Sequence, residues 1–146
     1  MTEDRARGVL IGYGGDYVRL SFDKLRYDEG LTAAVIEVKT GPFRGEVNDD
    51  TIVGAHAFCE QLSDLYERLS GEATLASYDG FELTMSGNGR GAIAVAVTLN
   101  GRQVPTCKLI FGFDIDQTFL PEIIKQLRDD IPDKPRGRVL RLVPRA

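Results

Sequence analysis

The sequence predicts an α+β fold: a mostly antiparallel, curved sheet of roughly six to eight strands carrying two amphipathic helices. Three observations lead there. Strand-like runs come in two blocks, each followed by a run with helical spacing, giving the order β-block, helix, β-block, helix. Within the strand-like runs apolar and polar residues alternate, while the two helical runs switch to a period near 3.6. Glycine-rich turns punctuate the strands, and no alternating βαβ pattern calls for a parallel sheet. A chain of 146 residues can bury one sizeable core, so 1–146 is expected to be a single domain, with 1–6 and 144–146 as loose ends.

The first block opens at Val9-Leu10-Ile11. Gly12-Tyr13-Gly14-Gly15-Asp16 then leads into the alternating run Tyr17-Val18-Arg19-Leu20-Ser21-Phe22, which reads as a hairpin. A dinucleotide-binding loop would need a helix directly after those glycines, and a strand follows instead. Tyr27-Asp28-Glu29-Gly30 is a turn. Residues 31–39 form a strand rich in branched side chains, and Phe43-Arg44-Gly45-Glu46-Val47 a shorter one.

Asn48-Asp49-Asp50-Thr51 carries the short oxygen-bearing side chains that favour helix N-caps. Ile52, Ala55, Cys59, Leu62, Leu65, Tyr66 and Leu69 then mark one face of a helix over about residues 50–70, stopped by Gly71. The single histidine, His56, lies early in it without a partner motif and reads as structural.

The second block has short strands at residues 73–76 and 81–85, separated by Tyr78-Asp79-Gly80. After a turn at residues 86–91 a strand runs from Ala92 to Leu99. Asn100-Gly101 is a two-residue hairpin signal, with a return strand expected from near Gln103 through Pro105 and Lys108 to Phe113. Leu120, Ile123, Ile124, Leu127 and Ile131 mark a second helix over about 118–131, broken at Asp133-Lys134-Pro135, and residues 138–143 suit either a last strand or a tail packed on the sheet.

Composition narrows the function. A net charge of −4 and a pI near 5.0 argue against nucleic acid, whose phosphates need a basic face. No stretch has the length or apolarity of a membrane span or a secretion signal, so a cytoplasmic protein is expected. Cys59 and Cys107 show no metal or redox spacing, and each is expected to be a buried, reduced thiol. No cofactor and no metal are implied.

The one candidate for catalysis is Asp114-Ile115-Asp116-Gln117-Thr118 at the end of an apolar strand. It is similar to the first motif of haloacid-dehalogenase phosphatases, in which the first aspartate attacks the phosphoryl group and helps bind Mg²⁺ while the second is the general acid/base. That motif belongs to the first strand of a large parallel core, and here only thirty residues follow Asp116. Gln117 replaces the usual small residue, and no later strand offers the completing lysine and acids. A mechanical reading is simpler: Asp116 or Thr118 caps the second helix, Asp114 and Asp116 sit beside the positive end of its dipole, and Pro121 fits its first turn.

The same stretch, Phe111-Gly112-Phe113-Asp114-Ile115-Asp116-Gln117-Thr118-Phe119-Leu120, resembles the C-terminal signature of WapI-type bacterial immunity proteins. Val35-Ile36-Glu37-Val38 before Gly41-Pro42-Phe43, a helix with Phe58, Leu62 and Leu69, the Glu82-Leu83 strand and a glycine-led strand at Gly91 fit the family in order. The resemblance implies a non-enzymatic, cytoplasmic protein that binds and blocks the C-terminal domain of a toxin. From their turn positions, and not from the family, Asp16, Asp28, Glu29, Asp49, Asp50, Asp79 and Glu82 are the candidate binding residues, able to pair with a basic partner. A structural or regulatory domain with another protein partner is the alternative, and a metal-dependent phosphohydrolase using Asp114 and Asp116 a third.

Overall fold

The computed structural model describes residues 8–23, 31–101 and 107–131. The expected turn at Asp28 and Glu29, the strand start at Gln103 and Pro105, the helix break at Pro135, the last strand at 138–143 and the two loose ends lie outside these residues. Eight strands form one antiparallel sheet in sequence order: β1 (Val9–Tyr13), β2 (Asp16–Phe22), β3 (Leu31–Thr40), β4 (Phe43–Val53), β5 (Ser70–Ser77), β6 (Glu82–Asn88), β7 (Ala92–Asn100) and β8 (Lys108–Asp116). Helix α1 (Ala55–Arg68) joins β4 to β5, and helix α2 (Leu120–Asp130) follows β8. The α+β reading with two helices is borne out.

The period-two pattern sets the register. Val9, Leu20, Ile36 and Val47 lie side by side on one face, as do Ala73, Met85, Val95 and Phe113 in the second block. These inward side chains and the apolar stripes of both helices form one core. Each fully buried aliphatic or aromatic side chain contributes about 1.5–3 kcal/mol. The strand ladder between the halves β1–β4 and β5–β8 is only two pairs long, Ile52↔Ser77 and Val53↔Ala76, and just beyond it Tyr78 N–H donates to Thr51 O at 3.0 Å. Elsewhere β4 and β5 splay apart, and α1 packs along β5.

The helices also close strand edges. Unpaired backbone N–H groups at a sheet edge are costly to bury and invite aggregation. Gln61 of α1 accepts from Thr74 N–H at 3.0 Å. Gln126 of α2 accepts from Leu10 N–H, and Asp130 from Phe22 N–H, both at 2.9 Å. Arg128 of α2 donates to Ser63 of α1 at 3.3 Å, tying the helices together.

The expected helix start at Asn48-Asp49-Asp50-Thr51 is overturned: all four residues belong to β4. Asn48 and Asp49 together face the single Val35, so β4 bulges between Val47 and Asp50. The extra residue reverses the alternation and turns Asp50 inward beside Ile52. Helix α1 starts at Ala55 instead, preceded by Gly54 in the left-handed region (φ 76°) and without a side-chain cap. Glycine adopts that conformation without the strain a Cβ brings. At the far end the stop is Leu69, itself left-handed at φ 61°, and not Gly71, which lies in β5. Ile52 therefore sits on a strand, Tyr66 is exposed, and Phe58, outside the apolar stripe read from helical spacing, is fully buried in the core.

Two further expectations fail. Asn100 pairs with Lys108 and Gly101 N–H donates to Cys107 O at 2.7 Å, so the β7–β8 connection is longer than a two-residue hairpin. Cys107 is exposed; Cys59 is buried as expected, and both are free thiols.

Candidate functional site

The outward face of β5–β8 is built from the positions that alternate with the core. Its rows run Ala76–Glu82–Thr98–Ile110, then Thr74–Thr84–Ala96–Gly112, then Glu72–Ser86–Ala94–Asp114, with Asp116 beside Ala92 at the end. Small side chains leave this surface flat. Glu72, Glu82, Asp114 and Asp116 are all exposed, and the four strands contain one cation, Lys108. Among the described residues Glu72, Glu82 and Asp114 have no hydrogen-bond or ion-pair partner. Ile110, 68% exposed, adds an apolar point among them.

The outward face of β2–β4 is different. Glu37 lies 3.8 Å from Arg19 and 3.9 Å from Arg44, and Tyr17 donates to it at 3.1 Å. Those charges are satisfied within the chain.

The sequence candidates scatter. Glu82 lies on the β5–β8 face. Asp79, exposed, is in the β5–β6 turn next to it and is engaged within the chain. Asp16 is half-buried and accepts from Thr40 Oγ1 at 2.7 Å, so it braces β2 against β3. Asp50 is not a surface residue: it is 1% exposed. Its carboxylate accepts from Ser77 Oγ at 2.7 Å and from Asp79 N–H at 3.3 Å, while Ser77 Oγ accepts from Phe81 N–H at 3.0 Å. It therefore joins the two halves where they share few backbone bonds. Asp49 contributes backbone to β4, and its side chain, like Asp28 and Glu29, is outside the described residues.

Sequence reasoning missed Glu72. Its signal is the outward parity of a strand, which a turn position does not carry.

At the lower corner of the face, Asp116 Oδ1 accepts from Thr118 N–H at 2.8 Å and opens a 3₁₀ turn, Gln117–Phe119, ahead of α2. Thr118 thus supplies a backbone donor, and α2 itself has no side-chain cap. Asp114 and Asp116 stand on β8 of an antiparallel sheet, unlike the parallel core of the haloacid-dehalogenase phosphatases. Among the described residues no group of three or more His, Cys, Asp or Glu is placed to hold a metal ion. Among the described residues no helix is long and apolar enough to cross a membrane. Burial raises the Cys59 thiol pKa above its usual value, opposed by the nearby Arg128 cation. Half-buried His56, also on α1, is engaged within the chain.

An antiparallel eight-stranded sheet ending in this strand and turn is the setting in which the family pattern can be judged. The family model of the WapI-like immunity proteins matches residues 9–135. The chain belongs to the WapI-like immunity protein family. The match runs through both halves of the sheet and both helices, so family membership covers the whole described architecture. No curated protein and no solved structure matches the chain.

Proposed function

We propose that this WapI-like chain is a bacterial, cytoplasmic immunity protein that binds the toxic C-terminal domain of a partner toxin and blocks it without catalysis. The observation that carries the reading is the acidic face of β5–β8, four carboxylates, three of them without a partner among the described residues, against Lys108 on a flat surface. Ala, Thr, Ser and Gly lose little rotamer freedom when covered, so docking there costs little entropy. Uncompensated carboxylates steer a basic partner and raise its association rate. Ile110 offers an apolar anchor inside the acidic rim. Inhibition follows from occlusion: a toxin whose basic substrate-binding surface lies on this sheet cannot engage its substrate.

The test is co-production with the toxin domain encoded beside the gene. Cells making both proteins should grow, and the pair should co-purify. Growth arrest despite full production of the folded chain would overturn the proposal.

A further inference from the structure

We propose that the pocket at the foot of β8 seats an arginine side chain of the protein partner. The pocket encloses about 480 Å³ between the end of β1, the β6–β7 turn and the 3₁₀ turn after β8; Tyr13, Arg90, Asp114, Asp116, Gln117 and Phe119 line it. Its position is fixed by the backbone: Gln117 N–H donates to Gly91 O at 2.8 Å, which pins the 3₁₀ turn to the β6–β7 turn.

Three features converge on a planar cation. The first is aromatic: Tyr13, 62% exposed, stands against Phe119 with ring centroids 5.2 Å apart, inclined at 32°. Aromatic faces attract cations, and a guanidinium can also stack on them. The second is anionic. Asp114 makes no hydrogen bond among the described residues, and Asp116 uses only Oδ1, for the Thr118 N–H. The third is Gln117, which lines the pocket and whose Oε1, shielded from water and without a donor, meets a guanidinium when the side chain turns toward it. A buried acceptor left unpaired is an unmet demand for an N–H group.

Arginine answers all three at once, because its fork carries five donors around a flat, stackable core. Lysine offers a point charge and no plane. Arg90 also lines the pocket but forms no ion pair with either carboxylate, so two anions face one cation and the pocket stays net negative.

This inference rests on the proposed protein-binding function for the identity of the occupant, but its test needs no toxin. The isotope-labelled full chain is titrated with N-acetyl-arginine amide and, separately, with N-acetyl-lysine amide, followed by amide NMR shifts. Saturable shifts centred on Gly91, Asp114, Asp116 and Phe119 are expected, with the arginine probe roughly threefold tighter than the lysine probe. Asp114→Asn and Tyr13→Ala should each weaken it by about threefold, and Glu46→Gln on the opposite half should match the unaltered chain. Unchanged shifts far from the pocket verify that each variant is folded. Absence of saturable shifts there, equal binding of the two probes, or equal weakening by Glu46→Gln would overturn the arginine pocket. Failure of toxin co-purification would instead bear on the proposed function and leave this titration intact.

Discussion

On β2–β4 the outward acids Glu37 and Glu46 stand among the cations Arg19, Lys39 and Arg44; on β5–β8 four carboxylates face Lys108 alone. Glu37 is shared by Arg19, Arg44 and Tyr17, a local network that leaves little field for a partner. Glu72, Glu82 and Asp114 look onto alanines, threonines and a glycine. Both halves use the same meander and the same inward apolar rows, so the core does not require the difference. It lies in the outward positions, where a sheet is free to vary without losing stability. That is the physical reason for assigning binding to the second half.

The largest effect should come from a cation placed in the middle of the bare face. Ala96→Arg is expected to weaken toxin binding by about a hundredfold, because like charges and bulk meet the basic partner, while stability changes by at most about 0.5 kcal/mol. Calorimetric titration and a thermal melt measure the two quantities. Ser21→Arg on the other half should leave binding unchanged. Equal losses from the two variants would erase the distinction between the halves.

Next comes the joint between them. Asp50→Ala removes a buried carboxylate that accepts from both Ser77 Oγ and Asp79 N–H, and should cost roughly 2–4 kcal/mol in urea unfolding. Glu37→Gln on the charge-paired face should cost only about 0.5 kcal/mol, since its partners are partly solvated, and should not alter toxin binding.

The smallest effect is a pH dependence. Cys59 on α1 is buried and its thiol pKa is raised on folding. The folded chain therefore holds that proton at pH values where the unfolded chain has begun to release it, from about pH 8.5. Stability from this group is complete below that point and falls as pH rises through the folded value. Unfolding followed against pH should show an alkaline loss that Cys59→Ala removes. Exposed Cys107 should react with iodoacetamide long before Cys59 does.

Much of this was legible in the chain. Alternating runs such as Ala92 to Leu99 announce their strands and their buried faces, and Gly14-Gly15 joins β1 to β2 as its composition requires. The start of α1 was not legible, because Asp and Asn serve a bulge as readily as a cap. Deciding between them needs Ser77, which reaches Asp50 from 27 positions away. The acidic face was half legible for a related reason. Glu82 was found at a turn, but Glu72 acquires meaning only when β5 pairs with β6 and sets it beside Ser86 and Asp114. The pocket joins Tyr13 to Phe119, over a hundred residues apart, and no local pattern records that meeting.

The most direct test of the central claim is the rate of association with the toxin domain, measured by stopped flow across a range of ionic strength. Glu72→Gln, Glu82→Gln and Asp114→Asn together should lower the low-salt rate constant by about tenfold and flatten its salt dependence. Glu37→Gln with Glu46→Gln should follow the unaltered chain at every salt concentration. A salt dependence that survives the first set of substitutions and disappears with the second would contradict the assignment of binding to β5–β8.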